Sequence, residues 1–388
     1  MAETHGHCDP GFESVRELLK QRLERGSELG ASLCVNIDGK NVLDIWGGHM
    51  DTAKTKPWEE NTLGVVWSCS KVVTNLAAHI LVDRGLLDVN EKVATYWPEF
   101  AANGKESIKV SHILSHTSGL SSWDAPMSTD DICNVKYATD KLAAQAPWWT
   151  PGEHSGYHLA TQGHLVGELV RRISGKSLGQ FITDEIAGPL GADFRLGVPE
   201  EDYSRTADIV PPEPISFEGL DPTSVAAKSL LGTPMSARLC MTPAFRNAEL
   251  GASNGFSNAR ALAHIGSLVS LDGTVDGKKY LSDTAIDKIL EEQIHGMDLV
   301  LFTESRFGLG VGLPTGPMSA LFNGGDEGIC FWGGWGGSIL IMDRERRMTI
   351  GYVMNKMLGA GTVGNENTFA YVQEIYNLVN KLKSQSSL

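Results

Sequence analysis

From Glu13 to Arg25 the apolar and polar positions alternate as in an amphipathic helix, which ends near Gly26. The pattern then changes to strand. Ala31-Ser32-Leu33-Cys34-Val35-Asn36-Ile37 and Asn41-Val42-Leu43-Asp44-Ile45 flank an Asp38-Gly39 pair, a strong hairpin signal. After Lys71 the apolar residues recur four apart, at Val72, Leu76 and Ile80 and at Val73, Ala77 and Leu81. This predicts a buried helix that opens at about Ser68 and stops at Gly85. Helical or irregular sequence with Gly/Pro-rich connections continues to about residue 265. Strand character returns at 329–332, 338–342 and 348–353, and a last helix is predicted from Thr368 to Leu382. Sheet-forming segments thus sit at both ends of the chain. The expected fold is α+β: an antiparallel sheet built from both chain ends with flanking helices, plus an inserted, mainly helical domain. The expected boundaries are 1–66 and 262–388 for the sheet domain and 67–261 for the insert, with the active site at their interface.

Composition narrows the function classes. The 388 residues carry 33 Lys+Arg against 47 Asp+Glu, a net charge of −14 spread without an acidic tail. That argues against a nucleic-acid or anionic-membrane surface. No segment approaches the roughly 20 apolar residues of a membrane-spanning helix. The N-terminal Met1–Pro10 stretch has neither the basic start nor the apolar core of a secretory signal. Six dispersed cysteines (Cys8, Cys34, Cys69, Cys133, Cys240, Cys330) then read as reduced thiols, and the expected compartment is cytoplasmic.

Three segments carry candidate chemistry. In Trp67-Ser68-Cys69-Ser70-Lys71 a serine and a lysine stand three apart, one turn apart on one face of the predicted helix. A lysine at the foot of so apolar a helix is costly to bury charged, and a desolvated amine can serve as a base that activates Ser68. Such a spacing also occurs at ordinary solvated helix starts. Pro151-Gly152-Glu153-His154-Ser155-Gly156-Tyr157 leads into another helix, whose amide dipoles and a nearby ammonium would favour the Tyr157 phenolate. By itself the segment is better read as a tyrosine that packs its ring and bonds its hydroxyl to backbone, the usual role of the residue. Phe331-Trp332-Gly333-Gly334-Trp335-Gly336-Gly337-Ser338 places four glycines in a strand. It fits either a bulge or an edge offering backbone N–H groups to an oxyanion.

The order of these three elements resembles the serine β-lactamase and penicillin-binding-protein superfamily, and more closely its class C β-lactamase-like esterases, the family VIII carboxylesterases. Ser115-His116-Thr117-Ser118-Gly119-Leu120 and Ser253-Asn254-Gly255 followed by Ala259-Arg260 also match, so the resemblance spans about Gly30 to Met354. It implies Ser68 as acyl-accepting nucleophile, and Lys71 and Tyr157 sharing its proton, with either as the base. The oxyanion hole would be the amides of Ser68 and Trp335. It implies no cofactor and no metal.

Two departures bear on substrate. Trp332 stands where β-lactamases carry a lysine or histidine facing a carboxylate, and Leu159 where they carry an asparagine. Two polar anchors have become apolar, so a small hydrophobic ester is expected. Trp332, Gly333, Gly334, Leu159 and Trp123 are the expected substrate contacts, and the loops 120–147 and 199–243 are expected to set preference. The partners are then an ester or other acyl donor, with a small-molecule acyl acceptor in place of water as the alternative. A non-catalytic scaffold on the same fold is the other alternative.

Some patterns point elsewhere. Gly251-Ala252-Ser253-Asn254-Gly255 matches the nucleophile elbow of α/β-hydrolases but lacks a convincing preceding strand and a later histidine. His154, His158 and His164 include a metal-like spacing without the glutamate of a zincin frame. His5, His7 and Cys8 lie in a terminus expected to be mobile.

Overall fold

Two strands from opposite ends of the chain lie side by side at the centre of the fold. Gly30–Ile37 pairs antiparallel with Met348–Met354, placing Val35 opposite Ile350. The computed structural model describes residues 2–386 apart from 215, 235, 324 and 360–363, so the outermost residues of the expected sheet domain, 1 and 387–388, lie outside it. Around the central pair the sheet runs, in order, Thr4–Cys8, Lys40–Gly48, Gly30–Ile37, Met348–Met354, Ile339–Asp343 and Ile329–Gly333, all antiparallel. The hairpin at Asp38-Gly39 forms with both residues at positive φ, 51° and 81°.

Helices cover both faces of this sheet. Thr349, Leu340 and Met342 pack against the Ala259–Ser270 helix. Gly351 lets that helix approach, since a Cβ there would lie 2.5 Å from the Ala259 carbonyl oxygen. On the other face Tyr352 packs on Tyr371 of the C-terminal helix Glu366–Ser386, ring centroids 5.2 Å apart, and that helix rests on Glu13–Arg25. Burial on both faces is why these strands read as continuous apolar runs. The architecture is α+β, as expected.

Several local expectations change. The Thr4–Cys8 segment is an edge strand with His5 opposite Trp46, not a mobile terminus. Its exposed His-Gly-His run lacks the apolar alternation by which strands are read, and His7 pairs with Asp9. The helix expected from Ser68 begins at Ser70, with Ser68 and Cys69 in the turn before it. The glycine-rich strand ends at Gly333, and Gly334–Gly337 form a turn closed by Gly337 N–H donating to Gly334 O. The expected boundary at 261/262 falls inside the Ala259–Ser270 helix, which starts earlier because the Asn258 side chain caps it through the Ala261 N–H.

One buried acid just ahead of the central Gly30–Ile37 strand sets a pH dependence. Glu28 accepts hydrogen bonds from Tyr352 (2.5 Å), Asn367 (2.9 Å) and Tyr371 (3.3 Å). Burial outweighs them and pushes its carboxyl up to about 7 from an ordinary 4.5. The folded state therefore holds this proton more tightly than the unfolded chain does. The resulting stability is present below pH 4.5 and is lost as pH rises through 7, about 3 kcal/mol in all. Denaturant titrations at pH 5 and pH 8 should show a shallower pH slope for Glu28→Gln than for wild type. Equal slopes would refute this.

Candidate active site

The chain reaches Ser68 through a strand, a strained residue and a tight turn. Gly64–Trp67 pairs with Gly255–Ser257, which pairs with Phe194–Leu196, in a small antiparallel sheet ahead of the Ser70–Asp83 helix. Trp67 sits at φ 48°, a conformation that costs a bulky residue about 1–3 kcal/mol. Its ring is wedged between Phe245 and Trp335, at 6.0 and 5.3 Å between centroids, which holds the backbone there. The turn lifts the Ser68 side chain into a cavity of about 390 Å³ that Leu159, Phe217, Leu230 and Trp335 also line.

Lys71 lies directly beneath. Its Nζ is 3.2 Å from Ser68 Oγ, 2.8 Å from the Leu159 carbonyl oxygen and 2.9 Å from that of Ala252. The residue is fully buried, and desolvation holds its amine well below the usual lysine value. A neutral amine fits this environment: its partners are two carbonyls and one hydroxyl, with no carboxylate among them. The elbow-like motif thus has another use. Ala252 holds the lysine, while Ser253 lines the cavity beside Ser68.

Tyr157 completes the cluster. The Trp332 indole N–H donates to its hydroxyl at 3.3 Å, and Lys71 Nζ lies 4.9 Å from its ring centroid. The expected phenolate is not favoured. Tyr157 lies in an extended segment, four residues short of the Thr161–Ser174 helix, and burial pushes its hydroxyl up to about 12. The neighbouring rings are neutral too: burial holds His116 well below its usual value and lowers His158 to about 3. Trp332 stacks on Tyr157 (5.9 Å) and Phe307 (5.8 Å).

The glycine-rich turn meets the Ser68 strand closely. Ser338 Oγ donates to Val66 O at 2.9 Å, and a Cβ on Gly334 would lie 2.4 Å from that same oxygen. Gly334 is therefore a close-packing glycine, with no room for a ligand at its Cα. Gly333 and Trp332 line a second cavity, of about 530 Å³, next to Tyr157. Leu301 lines both cavities.

Trp123 is not part of either wall. It is buried in the helical region, its indole donating to Ala138 O and its ring edge-on to His164, so helix packing claims the side chain. Of the two loops expected to set preference, the 199–243 loop supplies Pro211–Pro214, Phe217, Ser229, Leu230, Thr233, Ser236 and Ala237 to the Ser68 cavity (215 and 235 lie outside the described residues). The 120–147 loop supplies none. His158 and His164 bond Ser118 and the Ile132 carbonyl separately, and His154 is exposed.

Asp298 carried no sequence signal. Fully buried, its Oδ1 accepts from the backbone N–H groups of Tyr157, Val300 and Leu301, tying the tyrosine segment to the shared cavity wall.

The fold and this cluster define a serine hydrolase. The chain belongs to the beta-lactamase family, whose model matches residues 15–373. It is 30% identical to the esterase/beta-lactamase LipL of Mycobacterium tuberculosis, covering 98% of this chain and 89% of that protein. A family VIII carboxylesterase superposes with a TM-score of 0.90 at 32% identity, over 97% of this chain and all of that one. A penicillin-binding-protein homologue from Caulobacter crescentus matches with the same score, identity and coverage. Among the described residues no helix is long and apolar enough to cross a membrane, and all six cysteines are unpaired.

Proposed function

We propose that this protein is a carboxylesterase that cleaves neutral, hydrophobic esters through an acyl-enzyme on Ser68. The observation that carries the reading is the placement of Ser68 Oγ, exposed to a cavity, 3.2 Å from a desolvated lysine amine. The neutral Lys71 amine takes the Ser68 proton as Oγ bonds to the ester carbonyl carbon. The amides of Ser68 and Trp335 hold the resulting oxyanion. Collapse of the intermediate breaks the carbon–oxygen bond, and the leaving alkoxide takes the proton from Lys71 by way of the Tyr157 hydroxyl. Water then attacks the acyl group with the same proton path reversed, releasing the acid and free Ser68. An alcohol in place of water would make the same step an acyl transfer. The six free cysteines, four of them buried, support a reducing, cytoplasmic setting.

The two cavities divide the substrate. The alcohol half must leave past Tyr157, so it occupies the 530 Å³ cavity lined by Leu301, Phe307, Leu313, Met318, Phe331 and Trp332. Among the described residues lining it Arg306 is the one cation, and it is already paired with Glu292. The acyl half lies in the smaller cavity beside Leu159 and Leu230.

A panel of acetate esters with alcohols from methyl to large and apolar tests both statements. kcat/KM should rise about tenfold or more across the panel, with acetate as the product even when a simple alcohol is present. Equal kcat/KM for every alcohol overturns the division of the substrate. Hydrolysis of none, or turnover of penicillins in preference, overturns the carboxylesterase reading.

A further inference from the structure

A glycine-glycine turn is the most permissive backbone a chain can offer, yet an oxyanion donor has to be aimed. Here the turn Trp335-Gly336-Gly337 is gripped from behind by the C-terminal helix. Asn365, the residue just ahead of Glu366–Ser386, donates its Nδ2 to the Gly336 carbonyl at 2.6 Å, and Thr368 Oγ1 donates to the Gly337 carbonyl at 2.6 Å. Gly337 is at φ 140°, and a Cβ there would lie 2.2 Å from Asn365 Nδ2, so the asparagine presses directly on the turn. The opposite side of the hairpin is fixed by Ser338 Oγ on Val66 O.

The grip is itself anchored. Asn365 Oδ1 accepts from the N–H groups of Asn367 (2.9 Å) and Thr368 (3.0 Å), so the side chain that holds the turn also caps the helix. Asn367 Nδ2 in turn reaches Ser27 O and the buried Glu28. Both gripping side chains are buried, away from the reacting atoms.

We infer that Asn365 and Thr368 are positioning residues that set the Trp335 amide for the oxyanion, which makes the start of the C-terminal helix a working part of the site. The inference rests on the reading that this amide is an oxyanion donor. A donor held in line matters in the transition state and little in the ground state, so its loss belongs in kcat rather than KM.

Asn365→Asp separates gripping from capping. Aspartate keeps the acceptor that caps the helix but cannot donate to Gly336 O. Thr368→Val removes the hydroxyl at constant shape, and Thr368→Ser restores it. Asn365→Asp and Thr368→Val are each expected to lower kcat on a short-chain ester about tenfold, with KM within about twofold; both should melt somewhat lower, since Asp sets a carboxylate oxygen against Gly336 O and Val leaves the Asn365 N–H without its acceptor. Thr368→Ser should recover most of kcat. Wild-type kcat in Asn365→Asp overturns the inference, as does an equal loss in Thr368→Val and Thr368→Ser; if Asn365→Asp fails to fold, the threonine pair decides. Wild-type protein that takes no acyl adduct overturns the underlying reading, and this inference with it.

Discussion

Ser68→Ala is expected to lose at least about 10³-fold in ester turnover and to take up no acyl mass, while unfolding like the wild type. The fold should tolerate the change because Ser68 is a small side chain in a turn, facing a cavity, and Lys71 keeps both carbonyl partners without it. Intact-protein mass spectrometry after brief exposure to a p-nitrophenyl ester gives the comparison directly. Ser253 lines the same cavity, as do Ser229, Thr233 and Ser236, and its elbow-like motif makes it the first of these hydroxyls to examine. No base supports it: the nearby amine is directed at Ser68, and its own segment is committed to holding that amine through Ala252. An adduct that persists in Ser68→Ala and disappears in Ser253→Ala would reverse the assignment of the nucleophile.

Lys71→Met should be nearly as inactive as Ser68→Ala, and the double variant little worse than either, because the two residues act as one unit. The accompanying pH profile has a definite sign. Burial holds the Lys71 amine well below its ordinary 10.5, and in the proposed mechanism its deprotonated form is the base. kcat/KM of the wild type should therefore rise with pH, with a midpoint well under the usual lysine value. Tyr157, pushed up to about 12, keeps its proton throughout, so no falling limb is expected between pH 7 and 9. A profile that falls across that range would show that Tyr157 or another acid, not Lys71, controls the rate.

The residues that sequence could find are those whose side chains announce chemistry in a short window. Ser68 and Lys71 stand three apart at the head of an apolar helical run, Tyr157 follows a Pro-Gly pair, and the glycine-rich segment breaks a strand. The α+β order was legible for a similar reason: apolar runs at both ends of the chain could be satisfied only by meeting each other. What escaped detection acts through the backbone or across long separations. The carbonyls of Leu159 and Ala252 that hold Lys71 belong to residues with no polar side chain to notice. Asp298 is one acid among many until its carboxylate is seen collecting three backbone N–H groups. Trp123 looked like a cleft residue because loops near a site often supply tryptophans; packing against His164 decided otherwise. The state of Tyr157 depends on its surroundings rather than its sequence neighbours: dipole arguments weigh charge, whereas in this dry, neutral setting desolvation dominates.

The pairing of Gly30–Ile37 with Met348–Met354 also governs how the protein comes into being. A nascent chain that has left the ribosome through residue 300 already carries Ser68, Lys71 and Tyr157, yet it lacks the strand that closes the sheet and the turn that faces the serine. Until then the Gly30–Ile37 strand has an unpaired edge, the kind of surface that recruits other chains. Completion requires joining segments more than 300 residues apart, a slow, high-separation closure. A chain without the Met348–Met354 strand is therefore expected to be inactive and to expose an unpaired edge.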